Sequence, residues 1–141
     1  MDRKTNSRRS SVKTWALVIY IWVFLCIWIS GLTAGLMSSA CQKDRYEGKK
    51  KLRFCNISLA AGGWVAVFPL ERVKRSMTRL EKGIALSQLG REREALEAFE
   101  GAIRDARADG GPWERNLHRR MARLEDQRAL ALWASVVGPT E

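Results

Sequence analysis

The sequence predicts an all-α protein: one N-terminal transmembrane helix followed by a small helical bundle. Three observations predict it. The stretch from Trp15 to Met37 carries no charged residue. Beyond it, apolar residues recur at helical spacings of three and four. Glycine pairs and Gly-Pro steps then punctuate those periodic runs. The expected division is a basic cytoplasmic tail (1–14), a transmembrane helix (15–38), a connecting segment with a capping helix (39–68), a helical hairpin (69–109) and a C-terminal capping helix (110–141). Of the 141 residues, the span leaves about a hundred for a soluble core. A domain of that size gains stability from a disulfide, the membrane surface or a partner subunit.

The tail carries Arg3, Lys4, Arg8, Arg9 and Lys13 ahead of the apolar stretch, which is the layout of a signal sequence. Ser7 to Lys13 is similar to a twin-arginine export signal, with Ser11 where that pattern has Phe. Ser38-Ser39-Ala40-Cys41 is similar to a lipoprotein cleavage site, with Ser38 where Leu is expected. The apolar stretch is too long for an ordinary cleaved signal, so it is read as a retained anchor. At about 1.5 Å per residue it rises roughly 35 Å, enough to cross a bilayer.

Within the span, Gly31 and Gly35 form a G-x-x-x-G pair, with Ser30, Ala34 and Ser38 on the adjacent row. Small residues four apart let a second helix approach closely where lipid removes the hydrophobic drive for association. The span is also rich in aromatic residues. Trp15 suits the interface, while Trp22 and Trp28 lie deeper. The span contains no His, so imidazole ligation of a haem there is excluded.

Cationic residues do not set the orientation. The N-terminal flank has five Lys and Arg, and the C-terminal flank to Arg53 has six. Cys41 and Cys55 decide instead. Two cysteines just outside a membrane helix point to a disulfide in an oxidising compartment, the alternative being two reduced thiols on the cytoplasmic side. Cys26, inside the span, is a small apolar residue. Cys41 and Cys55 have no neighbouring His or further Cys, so their spacing is not a zinc pattern. Charge is uneven: residues 42–82 hold eleven Lys and Arg against four Asp and Glu, whereas residues 91–109 hold four against six. The membrane-proximal segment is the basic one, which anionic headgroups explain as well as nucleic acid does.

A helix from about Tyr46 to Ala60 carries Leu52, Cys55 and Leu59 on one stripe and stops at Gly62-Gly63. The run from Trp64 to Leu70 is apolar but too short to cross a membrane, and Pro69 suits a first helical position. From Pro69 to Leu89, the residues Leu70, Val73, Met77, Leu80 and Ile84 line one face. Arg72, Lys74, Arg75, Arg79 and Lys82 lie mostly off it and are expected to face solvent. Gly90 ends this helix, and a second follows at once with Ala95, Phe99, Ala102 and Ala106 on one stripe. So short a turn makes the pair antiparallel. After Gly110-Gly111-Pro112, Trp113 opens a last helix carrying Leu117, Met121, Leu124, Leu132, Trp133 and Val136.

The stretch Ser76 to Asp109 resembles a tetratricopeptide repeat. Gly83 stands at the family's small position in the first helix, Leu86 is its bulky partner, Gly90 is the turn glycine, and Glu94-Ala95-Leu96, Phe99 and Ala102-Ile103 continue the pattern. Arg79, Glu92 and Arg107 replace two aromatics and the closing proline. The likeness covers about a quarter of the chain. It implies groove-based recognition of a protein partner, and a lone repeat needs flanking helices to cap it. Cys41, Cys55 and Gly62-Gly63-Trp64 ahead of the repeat also resemble small exported repeat proteins of bacteria, which implies an inner-membrane protein with a cytoplasmic N-terminus and a periplasmic domain.

No constellation suggests catalysis or a cofactor. His118, the only histidine, sits beside Arg119 and Arg120, where an exposed helix position is expected, not a general base. Glu92, Glu94, Glu97 and Glu100 read as a solvated face balanced by Arg93, Arg104 and Arg107. The expected function is a non-catalytic scaffold, an accessory subunit of an energy-transducing or other integral membrane complex. The span would dock into that complex, the domain would hold a protein partner, and lipid would contact the basic segment; no nucleic acid is expected. A transient assembly or quality-control factor is the first alternative. A cytoplasmic domain binding anionic lipid or nucleic acid is the second.

Overall fold

The computed structural model describes residues 4–43, 45–46, 48–62, 69–108 and 112–138, all helical or in turns between helices. Among them run six helices: α1 (Lys4–Gln42), α2 (Gly48–Gly62), α3 (Pro69–Gln88), α4 (Glu92–Arg107), α5 (Pro112–Met121) and α6 (Gln127–Val137). The protein is all-helical, with one long apolar N-terminal helix that could span a membrane. Gly63-Trp64 and Gly110-Gly111 lie outside the described residues.

From Trp15 to Leu32 the large apolar side chains of α1 are exposed. Beyond Thr33 the helix changes role. Ala34, Ser38 and Cys41 are buried, at spacings of four and three that place them on one stripe. α2 folds back along that stripe, bringing Ser58 to Ala34 and Cys55 to Cys41. α1 itself runs past the expected boundary at residue 38, to Gln42. The last two turns of α1 belong to the folded domain, because their small side chains let a second helix lie close. The buried stripe of α2 also ends differently, on Ser58, with Leu59 only half-buried.

α3 lies at the centre, packed by α1, α2, α4, α5 and α6. Such a helix has little solvent face left. Besides Leu80 and Ile84, it buries Ser76, Thr78, Glu81, Ala85, Leu86 and Ser87. Met77 is half-buried, and the side chains of Leu70, Val73 and Arg72 lie outside the described residues.

The turn into α4 is closed by backbone alone. Gly90 N donates to Ser87 O at 2.9 Å and Arg91 N to Leu86 O at 2.9 Å. This is the paired pattern that satisfies the last carbonyls of a helix. It needs a left-handed residue, and Gly90 supplies φ +73°.

The C-terminal region is two helices where one was expected. Asp126 Oδ1 accepts from the N–H groups of Arg128 (3.0 Å) and Ala129 (3.2 Å). A carboxylate in that position starts a new helix by satisfying its free donors. α6 then lays Ala129 and Trp133 on the core. Trp133 meets Phe99 edge to face at 5.7 Å and His118 at 5.5 Å. His118 is thus half-buried against an aromatic ring, and the expectation of a fully exposed position is corrected.

Candidate functional site

Two places in the fold could engage other molecules: the hairpin of α3 and α4, and the joint where α1 meets α2 and α3. In the hairpin, Leu86, Ala95, Phe99 and Ala102 are all buried. A Cβ at Gly83 would come within 2.5 Å of the Phe99 ring, so the absence of a side chain there is what seats the aromatic. The structure brings Gly83, Leu86, Ala95, Phe99 and Ala102 together between the two helices and puts Gly90 at their turn.

Arg79 sits on a second glycine. A Cβ at Gly101 would lie 2.8 Å from its guanidinium, which donates to Gly101 O at 3.3 Å and reaches Asp105 at 3.3 Å. Burial pulls the Arg79 pKa below the usual arginine value, and Asp105 opposes the pull. Arg75 also approaches Asp105, at 3.7 Å. Arg75 and Arg79 are thus partly buried and engaged, which corrects the expectation that they face open solvent. The side chain fits because position 101 is empty, not because the face is wet.

An open groove runs beside this hairpin. Arg75, Arg79 and Lys82 of α3 form one wall, and Glu94 and Glu97 of α4 form part of the other. Opposed charges across a groove suit a segment of polypeptide carrying both signs. Arg91–Glu94 and Arg93–Glu97 pairs hold the α4 carboxylates in place, and their exposure makes each pair weak.

The joint is built from polar and small residues. Cys41 and Cys55 form a disulfide across α1 and α2, fourteen residues apart. Thr78 Oγ1 donates to Lys74 O at 2.8 Å. Its single proton is thereby committed, so Ser38 is the donor in the 3.0 Å contact between their hydroxyls. Gln42 in turn donates to Ser38 at 3.3 Å, and Ser58 to Ala34 O at 3.2 Å. A chain of hydrogen bonds thus runs from α1 to α3 through side chains that the sequence presents as unremarkable Ser and Thr.

The joint also holds a buried ionic centre. Glu81, 1% exposed, meets Lys51 of α2 at 2.5 Å and Arg120 of α5 at 2.5 Å. Lys51 is itself only 3% exposed. Three helices are tied by one carboxylate. Sequence reading missed this centre, since Lys51 lies in a Lys-Lys-Lys run and Glu81 on a charged helix. One usable signal existed: Lys51 and Glu81 each adjoin a core leucine, Leu52 and Leu80, on the buried side of its helix.

Gly31 and Gly35 are not part of the joint. Among the described residues, a Cβ at either would meet no heavy atom within 4 Å, although Ala34 on the next row is buried. The small-residue region of α1 is therefore divided. One row packs inside this chain, and the glycine row stays open. Among the described residues there is no group of three or more His, Cys, Asp and Glu placed to hold a metal.

No family model matches the chain, and neither a curated protein nor a solved structure is similar to it.

Proposed function

We propose that this chain is a membrane-anchored, non-catalytic scaffold, an accessory subunit of a bacterial inner-membrane complex, with its N-terminus in the cytoplasm and its domain in the periplasm. The observation that carries the reading is the joint. A membrane-length helix is tied to α2 by a disulfide and to α3 of the repeat-like hairpin by the Ser38–Thr78 hydrogen bond. A flexible tether would suffice to hold a domain near a bilayer; a fixed one sets the orientation of its groove relative to the membrane.

The remaining features support the same reading. Residues 15–33, lipid-facing in large part, rise about 29 Å, close to the thickness of a bilayer's hydrocarbon core. The open Gly31 and Gly35 row offers a close-packing face to a helix of the host complex. The groove of the tetratricopeptide-like hairpin offers the protein-binding face. The disulfide favours an oxidising compartment for the domain over the cytoplasm.

Affinity purification of the chain in mild detergent tests the proposal. A stable accessory subunit comes out with partners at a constant ratio. Ratios that vary between preparations support a transient assembly factor instead. Orientation is tested separately by treating intact cells with a membrane-impermeant maleimide. A cysteine placed at the exposed Arg93 (R93C) should label without breaking the membrane, and labelling only after lysis overturns the periplasmic assignment.

A further inference from the structure

α2 runs antiparallel to the end of α1, with Cys55 bonded to Cys41 and Ser58 to Ala34. Its first turn therefore points away from the membrane. At about 1.5 Å per residue, Cys41 stands about 12 Å above Thr33, and Lys49 about 9 Å above the level of Cys55. α3 gives the same height. Thr78 is level with Ser38, and Gln88, about 15 Å further along, accepts a hydrogen bond from Gly48 N at 3.3 Å. The start of α2 thus lies roughly 20 Å beyond the hydrocarbon, whereas a headgroup layer is about 5–8 Å deep and charge is screened over about 8 Å at physiological salt. Lipid charge does not reach it.

The cations there are in excess even with the segment's own carboxylates counted against them. Residues 43–53 hold six Lys and Arg against Asp44 and Glu47, and Glu81 accounts for Lys51. Lys49, Lys50 and Arg53 are exposed and form no ion pair among the described residues. Beside them, between α2 and the turn from α3 to α4, runs a cleft of about 470 Å³, lined by Lys49, Leu52, Arg53, Asn56, Leu89 and Arg91. That volume is in the range of a binding pocket. Leu52 is buried and Leu89 half-buried, while the three cations are exposed. The cleft therefore has an aliphatic floor and a cationic rim. Rim charges meet a surface laid across a cleft, not a small molecule sunk within it. Nucleic acid fits less well, because bases call for aromatic platforms, and Tyr46 and Phe54 are packed edge to face on each other at 5.0 Å.

We propose that this cleft docks an acidic segment of a partner protein, an apolar side chain entering between Leu52 and Leu89 while flanking carboxylates meet Lys49 and Arg53. The cleft shares no lining residue with the groove beside Arg79, so the domain presents two protein-binding faces. The choice of protein over lipid rests on α1 spanning the membrane, which is tested independently by alkaline carbonate extraction.

The experiment is photo-crosslinking in intact cells, with p-benzoylphenylalanine in place of Asn56, followed by mass spectrometry of the adduct. The cross-linked peptide should come from a protein and carry Asp or Glu on both sides of an apolar residue. Lys49→Gln with Arg53→Gln should lower the yield about tenfold, as the loss of two exposed ion pairs allows. Arg119→Gln with Arg123→Gln, an equal loss of charge from exposed positions on and just after α5, should leave it unchanged. Retention of the Cys41–Cys55 disulfide checks that each variant folds; if the α2 pair does not, Arg53→Gln alone should lower the yield about threefold. An adduct with lipid or nucleic acid, no adduct, a cross-linked peptide without carboxylates, or equal loss in both variants would overturn the assignment. Release of the chain by carbonate refutes the spanning helix; a retained chain without an acidic protein adduct refutes this surface alone.

Discussion

The hairpin of α3 and α4 and the joint of α1, α2 and α3 share one helix and are held by opposite chemistries. In the hairpin, Phe99 fills the notch left by Gly83, and Leu86, Ala95 and Ala102 close around it. That is shape complementarity between apolar surfaces. At the joint, a disulfide, a Ser38–Thr78 hydrogen bond and the Lys51–Glu81–Arg120 centre hold surfaces of small and polar residues. α3 serves both because its buried faces differ, with Leu80, Ile84 and Leu86 among its core residues and Thr78 and Glu81 at the joint. An apolar contact gives stability that varies little with direction. A set of directional contacts adds register, and register is what a domain fixed to a membrane helix requires.

The comparison is tested most severely by removing the centre of each region. Glu81→Gln takes the carboxylate from two cations, one of them deeply buried, and should cost about 3–5 kcal/mol. Phe99→Ala empties the hairpin notch and should cost about 3–5 kcal/mol as well. Chemical denaturation followed by helical circular dichroism measures both. The two losses should differ in kind. A double-mutant cycle of Lys51→Met with Glu81→Gln should show coupling above about 1 kcal/mol, whereas Lys51→Met with Phe99→Ala should be additive. A Glu81→Gln loss below about 1 kcal/mol would mean that the ionic centre is incidental.

Next in size is the disulfide. Closing a loop of this length should contribute about 3 kcal/mol, and Cys41→Ala with Cys55→Ala removes it. Hydrogen exchange locates the effect. Amides of α2 and of α1 from Ala34 to Cys41 should exchange faster in the variant, while those of the central turns of α4 keep their protection. Uniform loosening of all helices would show that joint and hairpin are one cooperative unit, and the contrast drawn between them would fail.

These two regions also differ in how far the sequence discloses them. The hairpin is legible because its determinants are apolar and periodic. Leu80, Ile84, Phe99 and Ala102 fall at helical spacings, and Gly90 marks the turn. The apolar length of α1 and the nearness of Cys41 to Cys55 are legible for the same reason. The joint is not. Thr78, Ser58, Lys51 and Glu81 have the chemistry of solvent-facing residues, and only a partner on another helix makes their burial tolerable. The break between α5 and α6 is marked in the sequence only by Asp126, a carboxylate ahead of Gln127-Arg128-Ala129 that can start a helix. The groove walls show in the sequence only as charge, since Gly101 gives no sign that it makes room for Arg79.

A smaller effect sharpens the hairpin side. Gly83→Ala puts a methyl group into the Phe99 ring unless the helices move apart, and should cost about 1–3 kcal/mol by overpacking. Gly83→Ala with Phe99→Leu should recover part of that loss, because leucine withdraws the ring atoms that the methyl meets. No recovery would place the strain elsewhere in α3. The corresponding change at the joint, Ser38→Ala, removes one hydroxyl from the hydrogen-bonded chain and should cost about 1 kcal/mol.

The smallest expected effect on the folded chain is at Gly31 and Gly35, and that is its value. Among the described residues nothing lies within 4 Å of a Cβ at either position, so Gly31→Leu with Gly35→Leu should leave the denaturation midpoint of the detergent-solubilised chain unchanged within error. Leucine is also the better helix former, so no loss of α1 itself is expected. Ala34, one row over, is buried against α2 and cannot be enlarged so freely. If the glycine row is the face that meets a host complex, the double variant should lose its co-purifying partners while keeping its disulfide and helicity. Unchanged association would leave the domain, not the membrane helix, as the site of attachment. A changed midpoint would mean that the glycine row packs within this chain after all, and the division of α1 into an inward row and an open row would fall.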